Sequence, residues 1–153
     1  MKARPFTLIV LAIAGCTVSV YLAAFELGRI GEVWDPLFGE GSRRVLTSWI
    51  ARVLPVPDAV FGAIAYGVDA VLAALVAAGV WRSDLVAVAL AVVATAGGVV
   101  GVLLALSQAT LLGSFCTLCL LSSGISVALA LGALVEARER VATRMNVLQE
   151  VSR

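Results

Sequence analysis

From Leu85 to Val135 the chain runs for 51 residues without a single charged side chain. As one helix this stretch would be about 75 Å long, more than twice the roughly 30 Å hydrocarbon core of a bilayer. It therefore predicts a hairpin of two membrane helices. The polar run Ser107-Gln108-Ala109-Thr110, followed by Gly113-Ser114, is the expected turn. Two further spans precede it. Phe6–Phe25 gives 20 uncharged residues, and Ala59–Trp81 carries one charge, Asp69. The expected fold is an all-α integral membrane protein, a four-transmembrane-helix bundle forming one domain over residues 1–153. Its helices should cover about 6–27, 59–81, 85–107 and 112–135, with an outer loop at 28–58 and a tail at 136–153.

Composition agrees and excludes several functions. Apolar residues make up 61% and charged residues 14%, with a mean hydropathy of +1.06. A soluble domain has about 45–50% and about 25%, so this chain uses lipid as its solvent. There is no histidine. That removes Ser-His-Asp and Cys-His nucleophiles and any His-ligated metal centre. The net charge of +1 lacks the polybasic footprint of a nucleic-acid binder. Three cysteines are too few for a disulfide scaffold.

Basic residues favour the cytoplasm. Lys2, Arg4, Arg82, Arg138, Arg140, Arg144 and Arg153 fall in the tails and the link between the second and third spans. Arg29, Arg43, Arg44 and Arg52 fall in the 28–58 loop. The bias of seven against four places both termini in the cytoplasm and the loop outside. One alternative concerns the start of the chain. Lys2, Arg4, an apolar run and Ala14-Gly15-Cys16 have the outline of a lipoprotein signal. The apolar run continues through Leu22, however, and completes a full span, so Cys16 reads as a small residue in mid-helix.

The segment richest in chemistry is Phe115-Cys116-Thr117-Leu118-Cys119. Cysteines three apart lie about 60° apart on a helix and can bridge in its first turn. Ser114 is positioned to cap that helix, whose N-terminus would stabilise a thiolate at Cys116. A metal site needs about four ligands, so zinc would require a dimer. The remaining readings are an incidental pair and a redox dithiol. A redox pair in lipid needs an electron sink, and membrane quinone is one that accepts two electrons. The expectation is a quinone held beside Cys119.

In the loop, apolar residues at 45, 46, 49, 50, 53 and 54 make a helical stripe. They predict a short interfacial helix over 43–54, anchored by Trp49 and stopped by Pro55 and Pro57. It would form either a resting surface helix or a lid. Asp58 can then cap the second span. Asp58, Gly62, Tyr66 and Asp69 share one face of that span within about 80°. Asp69 falls about 16 Å deeper than Asp58, near mid-bilayer, where an ionisable group is a functional candidate. At the same depth, Thr17 and Thr95 are its candidate partners. Gly97 and Gly101 form a small-xxx-small pair suited to helix packing.

These segments together resemble the vitamin K epoxide reductase family of quinone-linked membrane thiol oxidoreductases, over about residues 6–135. The resemblance rests on the CxxC at Cys116 and Cys119, on Val45-Leu46-Thr47-Ser48, and on the segment from Asp58 through Phe61 and Gly62 to Tyr66. It implies that Cys119 faces the quinone (ubiquinone or menaquinone) and that Cys116 exchanges with incoming thiols. It also implies that Ser48, Asp58, Phe61 and Tyr66 line the quinone site. The implied partner is a thioredoxin-like extracytoplasmic protein, and the implied location is the bacterial cell (inner) membrane. The chain departs from the family pattern in three places. The loop has no cysteine pair, with Ser42 where one would be expected; Ser123 replaces a common Tyr; and Asp58 replaces a common Asn. Two other functions fit the residues. One is a soft-metal, mercury-type membrane transporter using Cys16, Cys116 and Cys119. The other is a catalytically silent quinone-binding subunit.

Overall fold

The computed structural model describes residues 3–49, 57–79 and 83–152. They form α1 (Ala3–Glu26), α2 (Glu40–Leu46), α3 (Asp58–Ala77), α4 (Ser83–Ser107) and α5 (Thr117–Val151). A π-helical turn, Gln108–Leu112, extends α4. Among the described residues, four helices are long and apolar enough to cross a membrane: α1, α3, α4 with its extension, and α5. The chain is thus the all-α four-span membrane bundle that its apolar runs predict. α1 packs along α3, and α4 along α5, with α3–α4 and α1–α5 contacts closing the bundle.

The interior is built largely from small side chains. Ala12, Ala73, Ala87, Ala94 and Ala133 are fully buried beside Leu8, Leu90 and Leu129. Large apolar residues such as Phe6, Ile13, Val92, Leu103 and Leu131 face outward. This is the arrangement expected where lipid is as apolar as leucine and association depends on close backbone approach. Gly98 lies against Ala130 and Ser126, and Gly101 against Ser123 and Ser126, so both sit at close approach within the α4–α5 contact. Gly97, expected to pair with Gly101, instead lines a cavity.

The hairpin differs from the predicted one at both ends. Ser107–Thr110 does not turn. The Ser107 and Thr110 hydroxyls donate back to Leu104 O and Leu106 O, and the helix continues as a π turn to Leu112. The reversal comes at Gly113, in the left-handed region at φ 55°, a conformation that favours glycine. α5 therefore starts at Thr117 rather than 112. At its far end α5 runs 16 residues beyond Val135, because good helix formers and no Gly or Pro follow Glu136. The predicted tail is helix.

At this tail end, ion pairs bind the helices together. Arg4 of α1 meets Glu139 of α5 at 2.5 Å and Arg144 of α5 meets Asp84 of α4, while Arg140 and Glu136 pair within α5 at 2.6 Å. Arg140 also donates to Val76 O at 3.2 Å, near the end of α3, where that carbonyl also accepts from the Gly79 amide. At the opposite, loop end α2 starts earlier than the helix predicted over 43–54, of which residues 50–54 lie outside the described residues. It stops at Leu46, where Thr47 donates to Arg43 O through its hydroxyl and leaves the helical region at φ −98°, ψ 1°. Trp49 follows in the turn, exposed. Lys2, Arg52, Pro55, Trp81, Arg82 and Arg153 lie outside the described residues.

Candidate active site

The reversal at Gly113 delivers Cys116 in extended conformation to the start of α5. Cys116 itself, not Ser114, is the N-cap, at φ −120°, ψ 115°. Ser114 sits too early, because the turn ends two residues later than the sequence suggests. The Cys116 sulfur accepts from the Cys119 amide at 3.2 Å. Cys116 and Cys119 are joined as a disulfide, with Cα atoms 5.2 Å apart. The Cys116 amide donates to Gln108 Oε1 at 2.9 Å, so the buried Gln108 of the π turn positions the motif from behind.

Asp35 holds the loop over this turn. Its carboxylate accepts from the Leu37 amide at 3.0 Å, the Phe38 amide at 2.9 Å and the Ser42 hydroxyl at 2.5 Å. It also accepts from the Thr117 hydroxyl and, at 3.4 Å, from the Thr117 amide at the first turn of α5. Burial alone would push this carboxyl upward. The hydrogen bonds from Ser42, Thr117, Phe38 and Leu37 outweigh that effect and hold it well below the usual carboxylate range. Gly41 lies so close to the Phe115 carbonyl that a side chain there would collide with it. The Phe38 and Phe115 rings meet at 5.4 Å. Under this strap Cys116 is wholly buried, at 0% exposure.

Cys119 looks the other way, onto a cavity of about 810 Å³ between the helices. Ser48, Asp58, Phe61 and Tyr66 all line it, so the fold brings together every residue predicted for the quinone site. Gly62 and Asp69 line it too, placing the whole predicted polar face of the second span inward. Asp58 opens α3 from within its first turn and Pro57 is the N-cap, so Asp58 favours the positive helix end without capping it. The Tyr66 hydroxyl is bonded to α5, at 2.7 Å from Ser122 O, 3.1 Å from Ser122 Oγ and 2.6 Å from Ser126 Oγ.

Neither threonine expected beside Asp69 bonds to it. Thr17 donates to Ile13 O, and Thr95 Oγ1 is buried without a partner, as is Asp69 Oδ1. Cys16 is half-buried on α1, its sulfur 3.6 Å from Ala63 O, and it does not line the cavity. Sequence reasoning missed Asp35, Gln108, Ser122 and Ser126. Asp35-Pro36 carried a turn signal, and Gln108 was the one amide in the 51-residue uncharged run.

The chain matches the model of the vitamin K epoxide reductase family over residues 6–134. No curated protein matches it. The match covers all four spans, the strap and the cysteine pair, and the chain belongs to the vitamin K epoxide reductase family.

Proposed function

We propose that this protein oxidises a dithiol presented at its loop end and passes the electron pair to membrane quinone through Cys116 and Cys119. Membership of the family makes it a membrane thiol-disulfide oxidoreductase in general terms. The finer reading is carried by one observation: the disulfide joins two environments. Cys116 lies under the polar strap, and Cys119 faces an apolar cavity large enough for a quinone head.

The electron balance follows from thiol exchange. A thiolate of the dithiol attacks Cys116 Sγ, and the Cys116–Cys119 bond breaks with Cys119 leaving. The second substrate thiol resolves the mixed disulfide, so the substrate leaves oxidised and both cysteines are reduced. Quinone supplies the two-electron acceptor. Cys116 and Cys119 then lose two electrons and two protons, quinol forms and the disulfide returns. Ser48, Asp58 and Phe61 flank the acceptor, and Tyr66 ties α3 to α5 behind it. With no loop cysteine present, the dithiol must reach Cys116 itself, which requires the strap to move. The partner this geometry suits is a thioredoxin-like extracytoplasmic protein. The charge bias supports a loop outside the bacterial cell membrane and both termini in the cytoplasm.

Thiol trapping in membranes tests the reading. Reduced protein given oxidised ubiquinone or menaquinone should re-form the Cys116–Cys119 disulfide, and Cys119→Ser should show no quinone-coupled dithiol oxidation. A pair that stays reduced with oxidised quinone present would overturn the proposal.

A further inference from the structure

We propose that Asp69 is the inner hydrogen-bonding group of the cavity and donates to a carbonyl oxygen of the quinone head. This rests on the quinone reading above and extends it to a residue outside the segments that carry the family resemblance.

The first observation is an unmet polar group. Asp69 is 3% exposed, lines the cavity, and its Oδ1 has no hydrogen-bond partner. Buried polar atoms are almost always satisfied, and an orphan is a standing cost that a bound group can remove. No lysine or arginine lines the cavity among the described residues, so no cation is at hand to pair with a carboxylate there. As the acid, Asp69 presents one O–H donor, the complement of a quinone oxygen.

The second observation is that Tyr66 is not free to do this job. Its hydroxyl already has Ser122 O, Ser122 Oγ and Ser126 Oγ within hydrogen-bonding distance, all on α5. Its single proton goes to Ser122 O, which can only accept, and the two serine hydroxyls can donate to its oxygen.

The third is depth. α3 and α5 both run from the loop end toward the tail end, and Tyr66 meets Ser122. Asp69 lies three residues beyond Tyr66, about 4.5 Å deeper, and Cys119 lies three residues before Ser122, about 4.5 Å shallower. About 9 Å of depth thus separates the sulfur from the acid. Gly101, which lies against Ser123 and Ser126, and Leu104, three residues nearer the loop end, form wall between these levels. A ring seated there can meet Cys119 at one edge and Asp69 at the other.

The competing role for Asp69 is a bond across to Thr95, whose Oγ1 is likewise buried and unpaired on α4. The experiment separates the two. The full-length protein in lipid nanodiscs is titrated with a short-chain ubiquinone, and the infrared carbonyl band of the bound quinone is recorded. Melting temperature and helicity are followed in parallel. Asp69→Leu, close in size and without a donor, should weaken binding about tenfold and return the carbonyl band to its unbonded position, the scale of one lost hydrogen bond. Asp69→Asn keeps an N–H donor and should bind within about threefold of wild type with the band still shifted. Equal affinity and an unchanged band in Asp69→Leu, with only its melting temperature lowered, would assign Asp69 to the Thr95 bond and overturn the proposal while leaving the quinone reading intact. A wild-type protein that binds no ubiquinone would overturn both.

Discussion

Cys116 and Cys119 are three residues apart, yet one lies beneath a strap fixed by hydrogen bonds and the other on the wall of an apolar cavity. On the Cys116 side, five donors converge on a single carboxylate, and Gln108 holds the cysteine amide. Hydrogen bonds are directional, so this side is fixed at the level of individual atoms. On the Cys119 side, the walls are mostly small and apolar, and the forces are non-directional. The comparison teaches a division of labour: the Cys116 side is built from directional geometry and the Cys119 side from space, which under the function proposed above would suit a protein thiol and a lipid-like acceptor respectively. Ser42 sharpens the contrast. It stands where a loop cysteine would be expected, and its hydroxyl belongs to the clasp. Hydrogen bonding to Asp35 holds the loop in the absence of a covalent relay.

Breaking the clasp should have the largest effect. Asp35→Ala removes the acceptor of all five of these bonds at once, and in reduced protein the alkylation rate of Cys116 by a water-soluble maleimide is expected to rise at least about tenfold. The pH dependence has a definite sign. The hydrogen bonds hold the folded carboxyl below its ordinary value of about 3.9, so its stabilising contribution is complete above that pH and is lost as the pH falls toward the folded value. The ratio of variant to wild-type alkylation should therefore stay constant from about pH 5 to about pH 8 and fall toward one only in strong acid. Equal rates at neutral pH would show that the strap does not guard Cys116.

Perturbing the cavity side should be milder and should leave the clasp alone. A Cβ at Gly15 on α1 would collide with the Tyr66 ring. Gly15→Ala must then push Tyr66 off Ser122 and Ser126, an overpacking that costs about 1–3 kcal/mol. Tyr66→Phe keeps the ring and loses only the hydroxyl, at about 1 kcal/mol. Thermal melting in nanodiscs should rank them in that order. Neither should alter maleimide access to Cys116, and an increase for either would mean that the two sides are coupled.

The unequal legibility of the two sides follows from the same physics. The cavity side could be read because helical periodicity alone places Asp58, Gly62, Tyr66 and Asp69 on one face, and all four line the cavity. The spans could be read because lipid demands about 20 apolar residues. The clasp could not, because Asp35 and Thr117 are 82 residues apart and meet through a loop whose path no periodicity describes. The hairpin turn misled for a related reason. Ser107 and Thr110 look like turn residues, but in an apolar setting their hydroxyls return to the helix carbonyls, and the chain reverses only where Gly113 supplies a positive φ.

The smallest effect should come from the third cysteine, and a null result there has content. Cys16 is half-buried on α1, apart from the cavity lining, with its sulfur 3.6 Å from Ala63 O. In Cys16→Ser the hydroxyl can keep that contact, and the change in volume is slight. Quinone-coupled dithiol oxidation is expected to stay within about twofold of wild type, because no electron or proton passes through this position. A soft-metal path through the membrane would need Cys16 as a ligand between the surface pair and the far side. It would lose mercury-dependent flux on the same substitution. Measured side by side in one membrane preparation, unchanged oxidation assigns the redox work to Cys116 and Cys119 alone, whereas lost metal flux would move Cys16 from the packing of α1 into the function.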